Sequence, residues 1–374
     1  MYKSPKTMTK FLTALFLGIL PICSLGEAAS ATVLIKPSAP EITYGGRWEK
    51  SSDQLYRVGH GAAYLQATFT GDRIEAKIND KGQEIFWLAR IDDGYLQRFK
   101  AQKDTTVLGN YLGKGTHKLF LVRDTEGGAG ITDFTGLVLP SEGKLLPETT
   151  PPRYKLEFVG DSISAGAYAL GREFEGGTSY METESSYLAF GPLLARQLKA
   201  EYSVLGESGE GVVSNYQEPS HSSACHAADS YLRTFSSSRL PLWQETGKEP
   251  DIVILNHGTN DYLSNRIPKA EDFTAGYRHL IEVVRSKHPQ AVILCVSPIP
   301  IAEYQITNPL IAQAVQAEQA KGDTKVFYVP VNSEAPLLQK SDYAGDNEHP
   351  LAKGHKKIAD FLFPIVYGIL KNNK

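Results

Sequence analysis

A serine and a distant histidine are the residues of this chain whose types and surroundings best suit catalysis. Ser162 lies in the segment Gly160–Ser164, directly after the apolar run Lys155–Gly160, which is typical of a buried strand ending in a tight turn. His349 lies in the segment Asp346–Pro350. A serine hydroxyl is a weak nucleophile until a neighbouring imidazole accepts its proton. The two segments therefore predict Ser162 as a nucleophile and His349 as its base.

Two further segments can supply hydrogen-bond donors to the oxyanion that forms when a serine attacks a carbonyl. The loop Gly206–Gly211 and the segment His257–Asp261 each follow an apolar, strand-like run. Glycine at position 209 lets a backbone amide approach a ligand closely, and the Asn260 carboxamide is a neutral donor. Together with the Ser162 amide, Gly209 and Asn260 predict an oxyanion hole. We expect Asp261 to be structural. Glu207 and Glu210 could line the cleft, although solvated loop carboxylates are the commoner case.

The elements that position these residues are predicted between residues 153 and 374. Buried strands alternate there with helical stretches, which predicts a parallel sheet with helices on both faces and a site at the carboxyl ends of its strands. The strands are expected around Phe158 and over Tyr202–Leu205, Asp251–Asn256, Val292–Val296 and Val326–Val329, and the helices over Tyr187–Lys199, Asp272–Lys287, Ile311–Lys321 and Leu351–Leu370.

An all-β domain is predicted over residues 32–140, ahead of a linker over residues 141–152. Short apolar runs separated by Gly, Asp and Asn indicate an antiparallel β-sandwich: Ala63–Phe69, Arg73–Ile78, Ile85–Ile91 and His117–Val122. The linker is indicated by the proline-rich stretches that begin at Pro140 and Pro147.

The first 31 residues are typical of a cleaved secretory signal. Three lysines precede the apolar stretch Phe11–Leu20, and the small residues Ala29–Ala31 provide a cleavage site. The stretch is short for a membrane span, and Ile22 fits poorly before a lipidated Cys23. We therefore expect a secreted or periplasmic protein that has no membrane association after cleavage.

Composition and charge exclude several classes of protein. The chain has 374 residues, of which 41% are hydrophobic and 22% charged, as in ordinary globular proteins with two domains. Removal of the signal changes the formal net charge from −3 to −5. Because no basic surface is indicated, we expect no nucleic-acid partner. No Cys/His spacing suits zinc, so no metal or other cofactor is predicted, and Cys225 and Cys295 are expected to be unpaired although one disulfide is conceivable.

The four catalytic segments resemble the characteristic blocks of the SGNH (GDSL) hydrolase superfamily over roughly residues 153–374. The blocks are Gly160-Asp161-Ser162, Gly209, Gly258–Asp261 and Asp346-x-x-His349. A narrower resemblance is to the family 2 carbohydrate esterases, through Gly115–Glu126, Phe158–Ile163, Ser208–Val212 and His349-Pro350 followed by His355. This resemblance implies a jelly-roll sandwich beside the catalytic domain. It also implies removal of acetyl groups from plant polysaccharides such as xylan and mannans.

The chain departs from the family 2 pattern beside its histidine. Those esterases commonly have tryptophan before the catalytic histidine, preceded by aspartate, whereas this chain reads Asp346-Asn347-Glu348-His349. Asp346 has the spacing usual for the wider superfamily, so we expect it to hold His349 in the productive tautomer, with a backbone carbonyl as the alternative. The missing tryptophan also removes an aromatic platform for the sugar.

The predicted reaction is a two-step acyl transfer through an acetyl-serine, with an acetylated polysaccharide or oligosaccharide as substrate. One alternative is a GDSL-type lipase or lysophospholipase, which would need a long apolar acyl groove. Another is a glycan-binding protein whose esterase domain is vestigial. The sequence leaves open the polysaccharide, the hydroxyl position and the oligomeric state.

Overall fold

Both predicted domains are present in the structure, a computed structural model of the chain. It describes residues 31–147, 151–171, 179–219, 225–245, 247–263, 267–299, 306–332 and 335–372. All but the last residue of the predicted signal lies outside these ranges. Residues Thr32–Lys374 belong to one compact unit, which includes the sandwich and the catalytic domain.

The first domain is an antiparallel β-sandwich, as predicted. Its strands are β1 (Thr32–Ile35), β2 (Thr43–Gly45), β3 (Trp48–Ser52), β4 (Leu55–Val58), β5 (Tyr64–Thr70), β6 (Ile74–Asn79), β7 (Phe86–Ile91), β8 (Gln97–Lys100), β9 (Thr106–Gly109), β10 (Thr116–Arg123), β11 (Thr132–Pro140) and β12 (Leu145–Leu146). One sheet has the order β3-β4-β11-β6-β9 with β1 beside β11, and the other has the order β12-β5-β10-β7-β8 with β2 beside β5.

Alternating burial explains why these runs form strands. In β6, Ile74, Ala76 and Ile78 are buried, and the residues between them are partly exposed. A strand places successive side chains on opposite faces, so this pattern buries one face only. The buried face packs with Phe69 and Leu121 of the other sheet in one core. The four runs on which the prediction rested appear as β5, β6, β7 and β10, and each strand end lies within one residue of the predicted one.

The segment predicted as a linker contains the short strand β12. Leu145 and Leu146 pair with Phe69 and Thr68 of β5, and Leu145 is buried. Burial of one large aliphatic side chain contributes about 1.5–3 kcal/mol, which favours pairing of this apolar dipeptide with the sheet edge. The sandwich therefore continues beyond residue 140 to Leu146.

The second domain contains the predicted parallel sheet. Its strands are β13 (Lys155–Gly160), β14 (Glu201–Gly206), β17 (Ile252–Asn256), β18 (Val292–Val296) and β19 (Val326–Val329), in the order β14-β13-β17-β18-β19. A separate hairpin is formed by β15 (Arg233–Phe235) and β16 (Ser238–Leu242). The helices are α1 (Ser162–Ala165), α2 (Tyr180–Thr183), α3 (Phe190–Leu198), α4 (Ala227–Ser230), α5 (Ala270–Lys287), α6 (Thr307–Ala320) and α7 (Ala352–Asn372).

Helices cover both faces of this sheet. In β17, Ile252 and Ile254 pack in the cluster that includes α3 and α7, whereas Val253 and Leu255 pack in the cluster that includes α5 and α6. A strand buried on both faces is apolar throughout, which explains the continuous hydrophobic runs in the sequence. In the described parts of the chain, no helix is both long enough and apolar enough to span a bilayer.

The sandwich and the catalytic domain share a core. Tyr64 of β5 and Tyr202 of β14 have ring centroids 4.8 Å apart, and both belong to one buried cluster. Arg98 of β8 also donates to the carbonyls of Met181 and Glu184, each at 2.9 Å. These contacts join the two domains through both apolar packing and partly buried hydrogen bonds.

The two cysteines of the described chain are both free thiols. Cys225 lies partly buried in a loop, and Cys295 lies buried within β18. The expectation of unpaired cysteines is therefore confirmed.

Candidate active site

Three neighbouring strand ends bring the predicted site segments together. Gly160 at the end of β13 is in register with Gly206 of β14 on one side and with Asn256 of β17 on the other. Adjacent strands lie about 4.8 Å apart, so the loops that follow all three strands meet at one edge of the sheet. Ser162, the Gly209 loop and Asn260 lie in those loops.

The turn after β13 holds Ser162 in place. The Asp161 side chain caps α1 by accepting a hydrogen bond from the Ile163 amide at 3.0 Å, the usual role of an aspartate before a helix. A side chain at position 160 would collide with Ser164, so glycine is required by close approach. Ser162 is only 4% exposed. Its hydroxyl is therefore presented in a fixed direction at the strand end.

Ser162, His349 and Asp346 form a continuous hydrogen-bonded series. Ser162 Oγ lies 2.9 Å from His349 Nε2, and His349 Nδ1 lies 2.8 Å from Asp346 Oδ2. A proton on Nδ1 is donated to the carboxylate, which leaves Nε2 free to accept the serine proton. The partner of His349 Nδ1 in the structure is thus the Asp346 carboxylate and not a backbone carbonyl, which was the alternative.

The loop before α7 aligns Asp346 with His349. The other carboxylate oxygen, Oδ1, accepts hydrogen bonds from the amides of Glu348 (3.0 Å) and His349 (2.9 Å). Gly345 and Asn347 have φ angles of 98° and 61°, in the left-handed region that glycine and asparagine tolerate best. The two amides occupy Oδ1 and so direct Oδ2 toward the imidazole.

The electrostatics of the pair suit a general base. Burial would raise the pKa of Asp346, but hydrogen bonds from the His349 ring and from two amides lower it to about 2. Burial lowers the pKa of His349, but the hydrogen bond to Asp346 and the charges of Glu348 and Asp346 more than offset this effect, so the net shift is upward. This arrangement is suited to stabilising the imidazolium that would form if His349 accepted the Ser162 proton.

The predicted oxyanion donors lie in two adjoining loops. Gly209 has a φ angle of 80°, a conformation that favours glycine, and its carbonyl accepts from the Tyr216 amide at 2.8 Å. Asn260 is 3% exposed, and its Nδ2 donates to the Glu210 carbonyl at 2.9 Å. A carboxamide nitrogen has two N–H groups, so this bond uses one and orients the other.

Asp261 has a structural role, as expected. Its carboxylate accepts hydrogen bonds from the amides of Val212, Val213 and Ser214 at 2.8–3.1 Å. These bonds tie the segment after the Gly209 loop to the end of β17.

The expectation of solvated carboxylates at positions 207 and 210 is wrong. Glu210 is 8% exposed, and Glu207 is partly buried and accepts a hydrogen bond from the Ser236 hydroxyl. Burial raises the pKa of Glu207 to about 8 and that of Glu210 to about 7. Ser236, in the turn of the β15–β16 hairpin, contacts Glu207, and both glutamates line the pocket beside Gly209, as the alternative drawn from the sequence allowed.

Sequence analysis also missed two tyrosines beside the histidine. The Tyr168 ring lies edge-on to His349 with centroids 5.1 Å apart, and Tyr180 lies edge-on to Tyr168 at 5.2 Å. The Tyr180 hydroxyl is 2.9 Å from Ser208 Oγ. Tyr168 has a φ angle of 54°, which a non-glycine residue adopts rarely. Tyr168 lies in a turn and Tyr180 begins the four-residue helix α2, and neither segment is long enough to show a periodic pattern. No sequence signal therefore distinguished them from the other tyrosines.

An open pocket of about 570 Å³ adjoins Gly209. Polar and charged side chains make up much of its wall, together with one exposed aromatic ring, that of Tyr216. The polar members include Ser208, Asn215, Arg233, Ser236 and Arg239. In the ranges that the structure describes, no group of three or more His, Cys, Asp or Glu side chains is arranged to hold a metal ion.

Comparison with known proteins gives matches over both domains. Residues 158–357 match the GDSL-like lipase/acylhydrolase family, and residues 44–149 match the carbohydrate esterase 2 N-terminal family. The cellulase/esterase CelE of Acetivibrio thermocellus is 30% identical over 332 residues, which are 86% of this chain and 39% of that protein. An acetylxylan esterase / glucomannan deacetylase of Cellvibrio japonicus is 25% identical over 348 residues, 90% of each chain.

Solved structures give the same result. A family two carbohydrate esterase from Clostridium thermocellum in complex with cellohexaose has a TM-score of 0.79 and 27% identity, covering 88% of this chain and 99% of that one. A family two carbohydrate esterase from Cellvibrio japonicus has a TM-score of 0.81 at 23% identity, covering 92% of this chain and all of that one, and this match shows the fold.

The fold and the site define a carboxylic ester hydrolase of the α/β type with a β-sandwich attached to its catalytic domain. The chain belongs to the GDSL-like lipase/acylhydrolase family. Its similarity to family 2 carbohydrate esterases in both domains confirms the resemblance drawn from the motifs.

Proposed function

We propose that the protein removes acetyl groups from plant cell-wall polysaccharides through an acetyl-serine intermediate. The observation that carries the proposal is the series Asp346–His349–Ser162, joined by hydrogen bonds of 2.8 and 2.9 Å at the carboxyl end of the sheet. Relatives named for acetylxylan and glucomannan support xylan and mannans as the substrate class.

The reaction follows from the roles of these groups. His349 Nε2 accepts the Ser162 proton as Oγ attacks the acetyl carbonyl carbon, and the carbonyl oxygen becomes an oxyanion. The amides of Ser162 and Gly209 and the Asn260 side chain donate to that oxyanion. His349 then gives its proton to the sugar oxygen as the ester C–O bond breaks. Water, deprotonated by His349, attacks the acetyl-serine, and acetate leaves as Ser162 recovers its proton.

The character of the pocket favours a sugar over a lipid. Its wall contains the hydroxyls of Ser208 and Ser236 and the guanidinium groups of Arg233 and Arg239, which offer hydrogen bonds to sugar hydroxyls. A lipase or lysophospholipase would bury a long acyl chain, and burial of methylene groups requires an apolar wall. The Ser162–His349 hydrogen bond argues against a binding protein whose esterase domain is vestigial.

The test is acetate release by residues 32–374 from acetylated xylan and acetylated glucomannan, compared with hydrolysis of p-nitrophenyl palmitate. The matched control is Ser162→Ala. We expect release from the acetylated glycans and little turnover of the palmitate ester. Preference for the long-chain ester would favour a lipase, and glycan binding without acetate release would favour a binding protein.

We further propose that the protein is exported, with residues 1–31 as the cleaved signal. Support comes from the lysines and the apolar stretch Phe11–Leu20. Fractionation of cells that express the full chain, with N-terminal sequencing of the product, tests this proposal. A chain that stays in the cytoplasm with its first residues intact would refute it.

A further inference from the structure

A carboxylate from the β-sandwich reaches the loop that carries Gly209. This loop, residues 207–211, is called the oxyanion loop below. Glu126, three residues beyond the end of β10, accepts a hydrogen bond at Oε2 from the Ser208 amide at 3.0 Å. Glu126 is 4% exposed. The Ser208 amide belongs to the peptide immediately before the one that supplies the Gly209 amide.

Two hydrogen bonds hold the backbone of Glu126 in place. Its amide donates to Glu184 Oε1 at 3.2 Å, and its carbonyl accepts from Arg123 Nη2 at 3.2 Å. On the other side of the contact, Ser208 Oγ is 2.9 Å from the Tyr180 hydroxyl. Both the backbone and the side chain of Ser208 are therefore held.

The sandwich also packs closely against the rest of this loop. Glu126 is followed by a 3-10 turn, Gly127–Ala129. A Cβ atom at Gly128 would lie 3.1 Å from Glu207 Oε1, and one at Gly127 would collide with Ser236. Ser236 itself donates to Glu207. Glycine is required at position 127, and position 128 leaves little space for a side chain, because the turn lies directly against the loop and its neighbour.

From this geometry we infer that Glu126 is a positioning residue for ester hydrolysis and that the sandwich thereby completes the catalytic domain. The orientation of the Gly209 amide depends on the backbone torsions of Ser208 and Gly209. Anchoring of the Ser208 amide by Glu126 restricts those torsions, so that the Gly209 amide points at the developing oxyanion without reorganisation during reaction. The inference rests on the proposed role of Gly209 as an oxyanion donor.

The test uses the protein comprising residues 32–374, with p-nitrophenyl acetate as substrate. Glu126→Ala removes the acceptor, Glu126→Asp withdraws it by one methylene while keeping the charge, and Glu126→Gln retains an acceptor oxygen at the original reach. Because loss of an oxyanion donor costs about a hundredfold or more in kcat, we expect a loss of about ten- to a hundredfold for Glu126→Ala and Glu126→Asp, with KM nearly unchanged. We expect Glu126→Gln to stay within about threefold of the parent, since an acceptor remains for the Ser208 amide.

A second measurement separates positioning from a structural effect. A trifluoromethyl ketone adds to Ser162 as a hemiketal whose oxygen occupies the oxyanion position, so its affinity should fall in parallel with kcat/KM in Glu126→Ala and Glu126→Asp. The matched control is Glu142→Ala, an exposed glutamate of the same domain, which should leave both quantities unchanged. Circular dichroism and thermal unfolding verify that each variant is folded. If Glu126→Ala does not fold, the comparison of Glu126→Asp with Glu126→Gln tests the positioning role by itself.

Three results would overturn the inference: a folded Glu126→Asp with the parent kcat, an equal loss in Glu126→Gln and Glu126→Asp, or a rise in KM alone. Failure of the proposed function would give a different result from failure of this inference. A parent enzyme that hydrolyses p-nitrophenyl acetate but not acetylated glycans would refute the proposed substrate. In that case the comparison among the Glu126 variants would still be valid.

Discussion

Replacement of Asp346 by asparagine should move the proton of the neutral His349 ring from Nδ1 to Nε2. Oδ1 of Asp346 accepts from two amides, and Oδ2 faces His349 Nδ1. In Asp346→Asn the carboxamide oxygen keeps the two amides as partners, which turns the NH₂ group toward Nδ1. An NH₂ facing Nδ1 requires that nitrogen to be an acceptor, so the ring proton moves to Nε2. That tautomer cannot accept the Ser162 proton.

The size of the effect follows from the same contacts. The alternative rotamer, with the oxygen toward Nδ1, loses the hydrogen bonds from two amides, each worth about 1 kcal/mol, and places NH₂ against N–H donors. The productive arrangement is thereby disfavoured by about 2–3 kcal/mol, which corresponds to roughly 30- to 150-fold. Loss of the carboxylate that stabilises the imidazolium adds to this. We expect kcat to fall by about a hundredfold or more, with little change in KM.

The assay is kcat/KM from pH 5 to pH 9 for the parent and Asp346→Asn on an acetylated sugar. The hydrogen bond and charge of Asp346 raise the pKa of His349, so their loss should move the acidic limb of the profile to lower pH. A loss of less than about tenfold, with the limb unmoved, would show that the enzyme works with Ser162 and His349 alone.

Three further variants test other parts of the molecule. Ser162→Ala should abolish hydrolysis of p-nitrophenyl acetate and leave thermal unfolding nearly unchanged, and turnover above the background of an intact oxyanion hole would refute the nucleophile. Asn260→Ala should lower kcat by about a hundredfold with little change in KM, whereas a matching rise in KM would place Asn260 in ground-state binding. Burial would raise the pKa of Glu157, but Arg47 and His288 lower it to about 2. Its contribution to stability is therefore complete above its ordinary pKa and lost as the pH falls toward 2, so the difference in unfolding free energy between the parent and Glu157→Gln should shrink on acidification. A difference that is constant from pH 7 to pH 3 would contradict this linkage.

Much of the fold could be predicted because its signals are local. Alternating burial along β6 and the continuous apolar run of β17 are properties of single strands, readable from side-chain types in order. The helix predicted over residues 272–287 appears as α5, two residues longer at its start. The predicted end of the sandwich was wrong because a short apolar segment, Leu145–Leu146, pairs with β5, a strand distant in the sequence.

The sequence by itself determined the types of chemical group and the strand ends on which they lie. Ser162, Gly209 and Asn260 each follow an apolar run, and parallel strands bring such positions to one edge for any chain with this pattern. Only the tertiary structure decided which groups face one another. That Asp346 rather than a carbonyl meets His349 depends on the orientation of a packed ring, and that Glu126 holds the Ser208 amide depends on contact between residues 82 positions apart. The first contact is set by the turn of one loop, and the second forms where two separately patterned domains pack against each other. Local sequence carries no periodic signal for either contact.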